Sequence, residues 1–262
     1  MSRPPLDPRE LLRRALAAQM DLGYHEVVLG KRGTIPSAEP VGVIAPSETV
    51  MPSVEPPALV VPAASAFQSG LEFMAYSQFK SVDEHYRAIC NCQLCPLGQT
   101  RNKFVYGVGN PNARLMFIGE APGADEDMKG EPFVGRAGQL LDRILAAMQL
   151  SRQEVYIANI LKCRPPGNRD PQPDEAAKCT PYLREQIRII KPKLLCALGR
   201  IAAQYLLSTT TPLGKLRNKW HEFEGIPLWV TYHPAALLRF PEYKKDTWAD
   251  MQLLKARFDT LT

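Results

Sequence analysis

Four short apolar runs, "RLMFIG" (114–119), "VYIAN" (155–159), "KLLCALG" (193–199) and "LWVTY" (228–232), constrain the fold of this chain more than any other feature. Each has the length of a strand and an almost continuously apolar interior, so both of its faces must be covered. The first three are followed by helical patterns. "GQLLDRILAAM" gathers Leu140, Leu141, Ile144, Leu145 and Met148 on one face, and "GRIAAQYLL" gathers Ile201, Ala202, Tyr205 and Leu206. Apolar strands alternating with helices specify a parallel sheet covered by helices on both sides.

That architecture also says where to look for chemistry, because open parallel sheets bind ligands beyond the carboxyl ends of their strands. The polar residues just past the four runs are "GEAPGADED" (119–127), Asn159, "GR" (199–200) and "HP" (233–234). A carboxylate, an amide, a helix N-terminus and an imidazole are therefore expected on one rim.

The folded domain is expected to span residues 81–262. It opens at "SVDEHYRAIC", where Ser81 and Glu84 form a capping box for a helix that delivers Cys90 and Cys92. Residues 31–80 read as a flexible linker, with seven prolines among Ser, Ala and Glu in 33–66 and no helical or strand period. Residues 1–30 read as a short amphipathic helix, capped by Asp7 and Pro8, with Leu11, Leu12, Ala15, Leu16 and Met20 on one face and Gly23 as its stop. That apolar face needs a partner, and a protein partner is the expectation.

Charge is unevenly shared. Residues 1–80 hold 7 Lys and Arg against 8 Asp and Glu, leaving 25 against 19 for residues 81–262, so the excess of +6 belongs to the domain. A mildly basic domain suits a phosphate-bearing partner and equally suits a plain soluble surface. No run of 18 apolar residues exists and "MSRPPLDPRELL" has no signal-type apolar stretch, so the expectation is a cytoplasmic protein without a membrane span.

In a reducing compartment six cysteines point to metal or redox chemistry before disulfides. Cys92 and Cys95 form C-x2-C, and Cys163 and Cys179 bracket "CRPPGNRDPQPDEAAKC". Two pairs separated by a long stretch fit four thiolates around tetrahedral zinc or an iron–sulfur cluster, the long proline-rich second loop favouring the cluster. Cys90 could replace Cys92 through its C-x4-C spacing to Cys95. Cys196, inside an apolar strand, reads as a buried structural thiol.

Taken together, "CQLCPL", "GEAPGADED", "EPFVGRAGQLLD", "ANILKCRPPGNRDPQPDE", the second cysteine of that loop and "YHPAALLR" resemble the iron–sulfur-bearing family 4 uracil-DNA glycosylases, in motif order and spacing, from about Cys92 to Arg239. The resemblance implies an α/β/α sandwich on a four-stranded parallel sheet, a [4Fe–4S] cluster on Cys92, Cys95, Cys163 and Cys179, and hydrolytic excision of uracil from DNA, the first step of base excision repair, by a monomer. It places Glu120 on the acidic position of the first motif, Phe133 on the ring that stacks on the base, Asn159 on the amide that reads uracil and His233 on the histidine of the last motif. Ala121 and Glu126 match positions that crowd the C5 edge of the base.

The chemistry of these residue types agrees with those roles. A base inside a duplex must be extruded to be cleaved, and stacking on Phe133 would recover part of the cost. One amide offers uracil an acceptor for N3–H and a donor for O4, the reverse of what cytosine needs. His233 could donate to O2 as it becomes anionic, and Glu120 could orient water or stabilise the cationic sugar. Leu237 and Leu238 could fill the gap left by the extruded nucleotide, with Arg239 on a phosphate, although the same leucines also read as one turn of a packed helix. Lys103, Arg136, Lys162, Arg164, Arg169 and Lys215 are further phosphate candidates. Two alternatives remain at this stage: a metal-stabilised nucleic-acid-binding module without catalysis, and a glycosylase for another damaged base such as hypoxanthine.

Overall fold

The computed structural model describes residues 79–261. The expected N-terminal helix and nearly all of the linker lie outside the described residues. The described residues open on the expected capping box. Ser81 Oγ accepts from the Glu84 amide at 3.1 Å and the Glu84 carboxylate accepts from the Lys80 amide at 2.9 Å, which opens α1 (Val82–Ile89). There follow α2 (Leu97–Thr100), β1 (Val108–Gly109), β2 (Leu115–Gly119), α3 (Ala124–Lys129), α4 (Arg136–Ala147), β3 (Tyr156–Asn159), a single 3-10 turn at Pro166–Asn168 and α5 (Pro173–Ile190). The chain continues through β4 (Leu194–Leu198), α6 (Arg200–Leu207), α7 (Leu213–Leu216), β5 (His221–Phe223), β6 (Ile226–Thr231), α8 (Pro234–Arg239) and α9 (Tyr243–Asp259).

All four apolar runs are strands, and they pair in parallel in the order β3-β2-β4-β6. The four-stranded parallel core is as expected. The sheet is nevertheless six-stranded, because β1 and β5 add antiparallel edges to β3 and β6. These edge strands are two and three residues long, too short to carry a period that a sequence reading can detect.

Because side chains alternate across a strand, each strand feeds two cores. Met116, Ile118, Leu195, Ala197, Leu228 and Val230 face α1, α5 and α6, where Ile89, Leu183, Ile187, Ala202 and Leu206 complete one cluster. Leu115, Phe117, Leu194, Cys196, Leu198 and Trp229 face the opposite way, against Leu141, Ile144 and Leu145 of α4, Leu237 of α8 and Met251, Leu254 and Phe258 of α9. This is an α/β/α sandwich. Cys196 is fully buried in β4, as its neighbours demand.

From β2 the chain moves to β3 on one side and then crosses back to β4 on the other. The crossing leaves a crevice at the carboxyl ends, the general ligand position in such sheets. Among the described residues no helix is long and apolar enough to cross a membrane.

Candidate active site

The crevice is a cavity of about 670 Å³ whose lining includes Glu120, Ala121, Phe133, Asn159, His233 and Arg239. Each strand end delivers one member, because the register sets Gly119 beside Asn159 and Leu198 beside Thr231, two residues before His233.

Asn159, the last residue of β3, is 2% exposed. Its side-chain Oδ1 is buried and has no hydrogen-bond partner among the described residues. An orphaned buried acceptor is costly unless a ligand supplies the donor. The backbone around Asn159 is fixed from below by Lys162, which is fully buried and donates from Nζ to the Asn159 carbonyl at 2.8 Å and to Gln186 Oε1 at 2.6 Å. Lys162 therefore does not reach a phosphate, contrary to the sequence reading; it is an internal strut. Gln186 passes the connection on to the Tyr106 carbonyl at 2.9 Å.

Phe133 and Asn159 meet over Gly119. A Cβ on Gly119 would lie 2.4 Å from Asn159 Oδ1 and 2.7 Å from Phe133 Cζ, so only glycine lets the amide and the ring share that space. Phe133 holds a left-handed backbone, φ 53°, a conformation that costs a non-glycine residue and persists where surroundings enforce it. The enforcement is visible on both sides. The Glu126 carboxylate accepts from the amides of Val134 at 2.8 Å, Gly135 at 2.9 Å and Gly123 at 3.1 Å, and the Arg152 guanidinium donates to the carbonyls of Pro132 and Phe133. Phe133 is 5% exposed and joins the core cluster beneath it, while one side of the ring still lines the cavity. Glu126 also lines the cavity, but its carboxylate is committed to pinning this loop.

His233 lies with its ring 5.3 Å from that of Phe133, inclined by 31°. It is the N-cap of α8. Its Nδ1 accepts from the Ala235 amide at 3.1 Å, which leaves the proton of a neutral ring on Nε2. Burial, reinforced by the charge of Arg239, pulls its pKa down to about 4, so the ring is neutral near pH 7. Gly199 makes room for it: with φ +91°, a Cβ there would stand 2.8 Å from the Cβ of His233. Glu120 follows β2, its carboxyl pushed up to about 7 by burial and by Asp170, with Arg200 and Arg239 acting the other way. Arg200 is held to Asp170 at 2.7 Å.

Past His233, α8 separates its two leucines. Leu237 is 0% exposed and packs in the core with α4 and α9, so it is not available as a wedge; helical spacing turns it inward. Leu238 is half-buried and Arg239 is exposed on the cavity rim. Arg169, another phosphate candidate, is paired through both terminal nitrogens with Glu175.

The four paired cysteines come together beside the opposite core. Cys163 and Cys179 are buried within that core, and Cys92 and Cys95 pack against it. Donors aim at three of the sulfurs: Tyr182 Oη to Cys92 at 3.3 Å, Arg101 Nη1 to Cys163 at 3.4 Å and the Lys162 amide to Cys179 at 3.2 Å. Arg101 also ties down the Cys92 carbonyl at 2.5 Å and the Cys90 carbonyl at 3.1 Å. Burial pushes the free thiols of Cys163 and Cys179 up to about 11 and about 12, so any metal bound there would have to displace their protons. Among the described residues no three His, Cys, Asp or Glu side chains form a group that could hold a single metal ion. Hydrogen-bond donors on the sulfurs suit metal-bound thiolates in general, whether on zinc or on an iron–sulfur cluster.

Arg152, Lys162, Gln186 and the Arg200–Asp170 pair were not singled out for these roles by the sequence. Lys162 left a trace there as a lone charge in the apolar "ANILKC", and Arg200 as part of the strand-end "GR".

The profile described as the Uracil DNA glycosylase superfamily matches residues 106–252. The Type-4 uracil-DNA glycosylase of Archaeoglobus fulgidus is 44% identical over 181 residues, covering 66% of this chain and 91% of that protein. Those of Saccharolobus solfataricus and Thermotoga maritima are 44% and 43% identical, over 63% and 56% of this chain and 80% and 78% of theirs. A Type-5 uracil-DNA glycosylase of Pyrobaculum aerophilum is more distant, at 32% over 147 residues. With its parallel-sheet crevice, its buried amide and its neutral histidine, the chain belongs to the uracil-DNA glycosylase superfamily, on the Type-4 side of it.

Proposed function

We infer that the protein is a uracil-DNA glycosylase: it extrudes uridine from DNA and hydrolyses the bond between uracil and deoxyribose, opening base excision repair. The observation that carries the site assignment is the buried, partnerless Oδ1 of Asn159, set against the Phe133 ring in the same cavity as a neutral histidine. An acceptor left bare in such a place suits an N–H on the edge of a flat ring, which is what uracil N3 offers.

In this reading Phe133 stacks on the extruded base. Asn159 accepts from N3–H and donates to O4, so cytosine leaves the amide mismatched and buried groups unpaired. As the glycosidic bond breaks, negative charge gathers on the base and positive charge on the sugar. His233 donates from Nε2 to O2, already neutral and aimed by its Nδ1 contact, which places a fixed dipole where charge develops without a proton leaving the ring. Glu120, as its carboxylate, steadies the cationic sugar or orients the attacking water. Ala121 and Glu126 border the C5 side, Glu126 chiefly by holding the Phe133 loop. Leu238 fills the vacated stack and Arg239 meets a phosphate.

Cys92, Cys95, Cys163 and Cys179 are proposed as the ligands of a [4Fe–4S] cluster, which when bound supplies covalent ties between the segment near residue 95 and the loop 163–179 and no chemistry at the base. Its support is the N–H and O–H donors on three of the sulfurs. The proposal extends to a cytoplasmic monomer and to a protein partner for the apolar face expected in residues 1–30.

The test is an abasic-site assay on oligonucleotides carrying U, hypoxanthine or T, with His233→Ala and Asn159→Ala as controls. Uracil alone should be excised, and both variants should lose most of the rate. Activity that survives both changes removes the site assignment. Release of hypoxanthine in place of uracil transfers the reading to another damaged base, and binding without excision makes the domain a non-catalytic module.

A further inference from the structure

Phe240 is a large apolar side chain that nothing in the proposed reaction uses. It lies between α8 and α9, immediately after Leu238 and Arg239, and it is 48% exposed. An exposed aromatic at the end of a DNA-facing helix could be incidental, since single exposed hydrophobic residues are ordinary. Three observations separate it from the ordinary case. Its backbone is fixed on both sides, the amide donating to the Ala236 carbonyl at 2.7 Å and the carbonyl accepting from the Tyr243 amide at 3.2 Å. Its ring lies 5.7 Å from that of Tyr243, which in turn stacks on Tyr232 at 4.4 Å with planes 2° apart. Tyr232 lines the cavity, and the Arg217 guanidinium sits 4.1 Å from its ring centre, itself held to the buried Asp250 at 2.8 Å. The three rings run from the cavity wall, braced on a buried ion pair, to a half-exposed phenyl ring inclined by 49° to that of Tyr243 and directly following Arg239 in the chain.

We propose that Phe240 is a stacking platform for the base adjacent to the extruded uracil in an unpaired DNA strand. This rests on the reading of the cavity as the uracil site. Every base has a π-face, so such a platform binds without regard to sequence, and Arg239 beside it supplies the phosphate contact that single-strand grooves combine with stacking. In a duplex the neighbouring base is already stacked on its own helix and gains little from the protein ring. The platform therefore favours uracil in single strands.

The experiment measures binding by fluorescence anisotropy, using a strand with non-hydrolysable 2′-fluoro-2′-deoxyuridine, alone and annealed to its complement. Phe240→Ala should weaken single-strand binding about 5- to 10-fold, the low end of what base–aromatic stacking contributes, and duplex binding by less than about 2-fold; Phe240→Trp should restore the single-strand affinity. With 2-aminopurine placed on either side of the uracil, wild type should change its emission at one of the two positions, and Phe240→Ala should abolish that change. Equal losses on both substrates, no loss on either, or an unchanged 2-aminopurine response overturns the proposal. Wild type that does not excise ordinary uracil from the same strand overturns the reading of the cavity itself, a separate result.

Discussion

Gly119→Ala tests the cavity at its tightest point. The new methyl group would lie 2.4 Å from Asn159 Oδ1 and 2.7 and 2.9 Å from Phe133 Cζ and Cε2. Ordinary carbon contacts begin near about 3.5 Å, so the amide and the ring must each retreat by roughly 1 Å. Neither retreats freely: the Asn159 carbonyl is pinned by Lys162, and the Phe133 loop is clamped by Glu126 and Arg152. A misplacement of about 1 Å in positioning groups costs about 10²-fold in rate. Stability should move much less, because overpacking costs about 1–3 kcal/mol while replacing glycine returns about 0.4–1 kcal/mol through the unfolded chain. The assay is single-turnover excision from a uracil oligonucleotide, with thermal melting alongside. The expected result is a rate lowered about 100-fold in a protein whose melting temperature falls by a few degrees. Excision within about 3-fold of wild type, in a folded variant, would refute the idea that these two side chains jointly grip the base.

The excision rate should rise as pH passes about 7, because burial keeps Glu120 protonated below that point and the proposed role needs its carboxylate; Glu120→Gln should remove the rise. His233, pulled down to about 4, is neutral on both sides of that inflection and should add none between pH 6 and 8, so an inflection that persists in Glu120→Gln and vanishes in a His233 variant would reverse the assignment. Leu237→Ala should destabilise the fold by about 2–5 kcal/mol, as buried leucine truncations do, whereas Leu238→Ala should melt like wild type and lose excision chiefly on duplex substrates; chemical denaturation and the abasic-site assay distinguish the two. Protein purified without oxygen should be brown, with absorbance near 400 nm that Cys92→Ala abolishes together with several degrees of thermal stability. A colourless wild type with full iron-free activity would count against the cluster.

Much of this arrangement could be read before any coordinates, and the limits follow from physics. The β2, β3, β4 and β6 strands announce themselves because burial on both faces leaves a nearly uninterrupted apolar run. β1 and β5 do not, since an edge of two or three residues is defined by its partner's hydrogen bonds and not by its own side chains. Asn159 and His233 were legible because a strand end followed by a polar residue is a positional signal in a parallel sheet. The depth of Phe133 was not, because it depends on a left-handed backbone that Glu126 and Arg152 impose from elsewhere in the chain. Leu237 and Leu238 show the same limit at finer grain: adjacent identical residues on one helical turn are about 100° apart, and only the packing partner says which of them is inside. Lys162 looked like a surface cation by its chemistry and proved to be a buried strut.

The cavity groups proposed to touch the base, Asn159 and His233, sit at or just past the last rung of the sheet, while the alternating side chains of those same strands fill two cores on opposite faces. Recognition and scaffolding thus draw on different positions of the same strands. With the site as proposed, a substitution at the rim other than at Phe133, which also belongs to a core, would retune the accepted lesion with little effect on how the sandwich is packed, so a change of target should demand few simultaneous replacements.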